Sequence, residues 1–85
     1  MTEISFEQIS SFCKFVDQEK NKKDLKSKQG FHPVILMSFD VERVLLDKAW
    51  SQFYEDEFGR KSFRGVPFYH IVADGFLSFC WEADE

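Results

Sequence analysis

Eleven phenylalanines, two tryptophans and two tyrosines fall within 85 residues. Phenylalanine has no polar handle and no proton to exchange, so each ring must either pack or bind. A chain this short has a small interior and needs most of its apolar residues for folding. The composition therefore predicts a tight core with some rings left at the surface as contact points. With 44% hydrophobic and 31% charged residues, the chain reads as globular rather than disordered. Its length fits one compact domain, residues 1–85.

The first residues, Met1-Thr2-Glu3-Ile4-Ser5, lack the basic-then-apolar order of a secretory signal. The longest apolar run, Val34 to Met37, is far short of a bilayer span. A cytoplasmic protein without a membrane partner is the expectation. Cys13 and Cys80 sit among apolar neighbours and read as small core residues, since a disulfide between them would call for an oxidising compartment.

The chain opens with a helix. Ser5-Phe6-Glu7-Gln8 matches a capping box, with Ile4 and Ile9 in the positions of a hydrophobic staple. Phe6, Ile9, Cys13 and Val16 then share a face that Phe12 and Phe15 widen, predicting a helix from Phe6 to about Glu19. Residues 20–30 are polar and basic: the early lysines suit an extension of that helix at its C-terminus, and the rest reads as a loop. Phe31 to Met37 reads as a strand with Pro33 at its start, and its continuous apolar run predicts burial on both faces. Ser38 or Asp40 caps a second helix expected from about Val41 to Phe58 and ended by Gly59. Arg60 to Gly65 is a basic connection. Pro67 to Ala73 and Phe76 to Glu82 flank Asp74-Gly75, the signature of a type I′ hairpin. The predicted fold is α+β, in the order α-β-α-β-β, with both helices on one side of a sheet of about three strands ending in a C-terminal hairpin.

In that hairpin Ala73 would pair with Phe76, and Tyr69 would lie opposite Cys80. One face would carry Phe68, His70, Val72, Leu77, Phe79 and Trp81 toward the core. The other would carry Tyr69, Ile71, Ala73, Phe76, Ser78 and Cys80, which is apolar where water would favour polar side chains. Either a helix covers this second face, or Tyr69, Ile71 and Phe76 form an exposed patch for another protein. His70 faces inward and reads as a packed residue, with no base partner or nucleophile evident beside it.

Charge is blocked along the chain. Glu55, Asp56 and Glu57 crowd the end of the expected second helix, where negative charge opposes the helix dipole. Arg60, Lys61 and Arg64 follow and can neutralise them. Alternatively the acids, with Glu82, Asp84 and Glu85, steer a basic partner such as a nucleic-acid-processing enzyme. The opposite case rests on Lys20, Lys22, Lys23, Lys26 and Lys28 with Arg60, Lys61 and Arg64. These residues could hold phosphates while Phe31 or Phe63 stacks on bases, though a net charge of −4 argues against it.

Catalytic and cofactor signatures are missing. Cys13, His32, His70 and Cys80 have no zinc-site spacing, the four glycines stand isolated, and no GxSxG or HExxH occurs. The expectation is a non-enzyme with no cofactor and no metal. Size, acidity and aromatic content point to a protein-binding module of the inhibitor, antagonist or immunity type, a class that includes small phage-encoded proteins. The alternative is a nucleic-acid-binding accessory protein using loops 20–28 and 60–64. A homodimer through the hairpin edge is a further expectation.

Overall fold

The computed structural model describes residues 3–84. In chain order they form α1 (Phe6–Lys20), α2 (Lys23–Lys28), β1 (Phe31–Ser38), α3 (Phe39–Lys48), a 3₁₀ turn at Trp50–Gln52, β2 (Phe53–Glu55), β3 (Lys61–Phe63), β4 (Val66–Ile71) and β5 (Leu77–Ala83). The class is α+β, but the sheet has five strands rather than three, in the order β2-β3-β4-β1-β5. Among the described residues no helix is long and apolar enough to cross a membrane.

α1 starts as its sequence dictates. Ser5 Oγ accepts from the Gln8 N–H at 3.1 Å, and Gln8 Oε1 accepts from the Ser5 N–H at 2.8 Å, closing the capping box. Ile9 and Val16 are its buried residues. Val41 and Leu45 play the same part on α3. All four join one core with Ile35, Met37, Phe63, Val66 and Phe68, so both helices lie on one side of the sheet. The expected loop at residues 20–30 instead folds one short helix, α2, which buries no side chain.

The second helix is shorter than its spacing predicts. It ends at Lys48, and Ala49 leaves helical geometry at φ −143°. Phe53 and Tyr54 fall on the helical pattern of the residues before them, yet they are strand-favouring aromatics. Phe53 turns into the core, with its ring 5.1 Å from Phe63 and 5.5 Å from Phe68 in edge contacts. Tyr54 points the other way. Glu55, Asp56 and Glu57 consequently sit at the end of β2 and in the turn to β3, not on a helix terminus.

The C-terminal hairpin does not form. β4 and β5 are not neighbours, because β1 lies between them, parallel to β4 and antiparallel to β5. A strand apolar along its whole middle is most stable with neighbours on both edges and cover on both faces. Asp74-Gly75 thus turns the chain over the end of β1 instead of closing a two-residue loop. Asp40 Oδ2 accepts from the Gly75 N–H at 2.9 Å, and Ser38 Oγ accepts from the Phe76 N–H at 3.1 Å. Ser38 occupies the N-cap position of α3, yet its hydroxyl donates to Asp40 rather than capping the helix.

The tight hairpin is elsewhere. Phe63 pairs with Val66 across Arg64-Gly65, whose φ values of 50° and 81° are both positive, as a type I′ turn requires. The ladder between β1 and β5 has a fixed phase. Asp84 N donates to Gly30 O at 2.7 Å at one end, and Ser38 N donates to Phe76 O at 3.0 Å at the other. Even-numbered residues of β5 therefore bond to β1, and Pro33, opposite Trp81, sits where no donor is asked of it.

Candidate functional site

Alternation sorts the sheet into two faces. The inner face carries Pro33, Ile35, Met37, Phe63, Val66, Phe68, Leu77, Phe79 and Trp81, under α1 and α3. The outer face carries Tyr54, Ser62 and Pro67, then Val34, Leu36, Tyr69, Ile71, Ser78 and Cys80. Among the described residues no buried helix residue belongs to it, although Val34 and Ser38 on this face are themselves fully buried. Within the strands the face membership expected from the hairpin survives the insertion of β1, because Tyr69 shares a row with Leu36 and Ser78, a shift of two from the predicted partner Cys80. Val72 and Ala73 lie beyond the end of β4, and Val72, expected toward the core, is fully exposed.

The three expected contact residues come together here. Ser38 has Ile71 on one side and Phe76 on the other, so Ile71, Ser38 and Phe76 form one row. Tyr69 stands in the next row and is 56% exposed, Phe76 is 40% exposed, and Ile71 is half-buried. Tyr54, 67% exposed, extends the same face toward the β2 edge. A groove of about 580 Å³ runs between Tyr54, Pro67, Tyr69 and the Asp56–Lys61 turn.

The acidic cluster divides. Asp56 organises its own turn, accepting from the Phe58 and Arg60 backbone N–H groups at 2.9 Å each and from Arg60 Nε at 2.8 Å. The Arg60 N–H above all holds its carboxyl below the usual range. Glu55 is the register partner of Lys61 across the strands but forms no ion pair with it within 4 Å, so of the three following cations only Arg60 pairs with the cluster. Glu57 is exposed, next to Phe58, whose ring is 74% exposed with the Arg60 guanidinium 5.2 Å above it. Glu82 and Asp84 flank His32 at 3.8 and 2.6 Å, while Glu85 lies outside the described residues.

Much of the basic set is occupied within the chain. Arg64 grips Asp17 through Nε at 3.1 Å and Nη2 at 2.5 Å, and donates to Gln52 Oε1 at 2.6 Å. Hydrogen bonding from Arg64 lowers the Asp17 pKa, and the same contact raises that of Arg64. Lys20 Nζ donates to the Arg64 carbonyl at 2.6 Å. Lys22 pairs with Glu19 at 2.8 Å and holds its carboxyl low. Lys26 lies over the Phe31 ring at 5.6 Å. Among the described residues Lys23, Lys28 and Lys61 make no ion pair within 4 Å. Phe63, one of the two rings expected to stack on bases, is fully buried, and Phe31 is half-buried.

His70 has a partner that its neighbours in sequence do not reveal. Nε2 lies 2.8 Å from Glu42 Oε2, and the Phe39 ring stacks on the imidazole at 4.0 Å and 8°. Phe39 and Glu42 come from the first turn of α3, which crosses the end of β4, so only the fold joins them. No serine, threonine or cysteine hydrogen bonds to His70 among the described residues. Phe39 also lines a cleft of about 940 Å³ with Arg43, Val44, Ile71 and Val72. Cys13 and Cys80 are free thiols whose pKa values are raised, foremost by burial.

No protein-family model, no curated protein and no solved structure matches the chain. Tyr54, Phe58 and the Glu42–His70 pair were missed in the sequence. Two adjacent strand-favouring aromatics, Phe53 and Tyr54, were the available signal for the first of them.

Proposed function

We propose that the protein is a cytoplasmic protein-binding module that acts by covering a partner's surface, as inhibitors, antagonists and immunity proteins do. The supporting observation is the outer sheet face, which carries Tyr54, Tyr69, Leu36, Ile71 and Phe76 and receives no buried helix residue. Tyrosine is suited to this because it gives a large, rigid contact with a hydroxyl at its tip. Glu55 and Glu57 lie in the turn beside Tyr54, where exposed negative charge accelerates encounter with a basic partner. Asp56 contributes by shaping that turn.

The test is a tagged capture from lysate of the source cell, with and without nuclease, using the native chain beside Tyr54→Ala and Tyr69→Ala variants. A stoichiometric protein that survives nuclease and is lost in both variants supports the reading. Once the partner is in hand, Glu55→Ala with Glu57→Ala slows association and flattens its salt dependence. Retention that disappears with nuclease, and with Lys23→Ala, Lys28→Ala and Lys61→Ala, replaces it with the nucleic-acid alternative.

A further inference from the structure

β5 is one edge of the sheet and spans seven residues, whereas β2 at the other edge spans three. Natural edges are blunted by shortness, proline, lysine, bulges or a covering element. Within Leu77-Ser78-Phe79-Cys80-Trp81-Glu82-Ala83 there is no proline and no cation, and Glu82 is the single charge. The ladder phase fixes which groups are offered. Leu77, Phe79, Trp81 and Ala83 turn their N–H and C=O groups away from β1. Among the described residues no backbone or side-chain group outside the sheet bonds to them.

We infer that this edge pairs antiparallel with the β5 edge of a second copy, about a two-fold axis at Cys80. Self-pairing of one strand is an isologous contact, in which each residue sum is constant. Only the register centred on Cys80, the middle residue, engages all four outward-facing residues on both copies. It pairs Leu77 with Ala83 and Phe79 with Trp81 of the second copy, each pair exchanging two hydrogen bonds. Aromatic cross-strand pairs of this kind add to the ladder. On the inner face these rings continue an apolar strip, since Phe79 and Trp81 already meet at 5.5 Å and Phe15 packs edge-on to Phe79. On the outer face Glu82 comes opposite Ser78, so no like charges face each other. A register moved two residues toward the C-terminus would set Glu82 against itself. The pairing makes one ten-stranded sheet and doubles the outer face, and it stands independently of the partner-binding reading.

In this register Cys80 of each copy occupies a non-hydrogen-bonded pair, with Cα atoms roughly 4.5 Å apart, within disulfide range. The experiment combines light scattering across concentrations with copper–phenanthroline oxidation, in which two copper(II) ions take the two electrons, the buffer takes the two thiol protons and the S–S bond forms. The expected result is a mass rising toward two chains and a covalent dimer formed by native chain and Cys13→Ser but not by Cys80→Ser. Ser78→Glu should weaken the dimer and Ser78→Lys tighten it, each by roughly 2- to 30-fold in dissociation constant, because both copies contribute one altered pair. A one-chain mass at every concentration overturns the inference and leaves the edge to an extended segment of another protein. A dimer not trapped through Cys80, or Ser78 variants that shift the equilibrium in the same direction, overturns it as well.

Discussion

Two residue pairs, Arg64-Gly65 and Asp74-Gly75, invert what their sequences announce. Asp-Gly is the favoured type I′ pair and makes no hairpin, while Arg-Gly, a poor one, makes the tightest turn in the sheet. Arg64 holds a left-handed backbone at φ 50°, which costs about 1–2 kcal/mol for a residue with a side chain. That cost is offset from outside the turn. The Arg64 N–H donates to Gln52 O at 2.8 Å, its carbonyl accepts from Lys20, and its side chain is bound by Asp17 and Gln52. At Asp74-Gly75 the local preference is intact, but β1 occupies the place where β5 would pair. Turn chemistry proposes a hairpin, and what the flanking strands need as neighbours decides it.

The largest break in this comparison comes from the strand that does the inserting. Ile35→Ala removes a fully buried side chain between Phe68 and Phe79, and is expected to destabilise by about 2–5 kcal/mol in denaturant unfolding. Ser38→Ala comes next. It removes the hydroxyl that accepts from Phe76 N and donates to Asp40, at a site with no exposure, for a loss of about 1–3 kcal/mol. Hydrogen exchange should show fast opening at residues 74–76 in that variant while the Arg64-Gly65 turn stays protected. Arg64→Ala and Arg64→Gly sharpen the other half. Both lose the contacts to Asp17 and Gln52, but only glycine relieves the left-handed backbone, so Arg64→Gly should be the more stable by about 1 kcal/mol. Equal stabilities would show that the turn is unstrained.

The smallest effect is in pH. Asp17, Glu19 and Asp56 titrate below the ordinary carboxylate range, through bonds to Arg64, Lys22 and the Arg60 backbone respectively. A depressed native pKa adds stability above the unfolded value and loses it as pH falls through the native one. Unfolding monitored from neutral pH downward should therefore show stability declining below about pH 4. Asp17→Asn should flatten that decline more than Asp24→Asn, a carboxylate that forms no ion pair within 4 Å among the described residues.

What the sequence made legible was local. The Ser5–Gln8 capping box and the apolar run of β1 each contain their own cause and form as read, while the α1 stripe packs at Ile9, Phe12, Cys13 and Val16 but leaves Phe6 and Phe15 exposed. Even the faces of β4 and β5 were legible, because alternation survives any insertion between strands. The neighbours were not. Which strand lies beside β4 depends on residues more than thirty positions upstream, and the Phe53–Glu55 strand is masked by a helical spacing that stops at Lys48. Tyr69, Ile71 and Phe76 do share one face of the sheet, on a scaffold other than the expected hairpin. Glu42 beside His70 could not have been found at all, since only the packing of α3 across β4 joins them.

The insertion of β1 also bears on how the chain reaches its structure. Residues 66–83 carry a complete set of signals for closing on themselves, and hairpins close in about 1–10 μs, before distant strands meet. A hairpin closed there first would have to reopen to admit β1, because its two strands end separated by a third. Weakening it with Asp74→Ala, which removes a turn-favouring side chain at an exposed position, should speed refolding even though it adds no native contact.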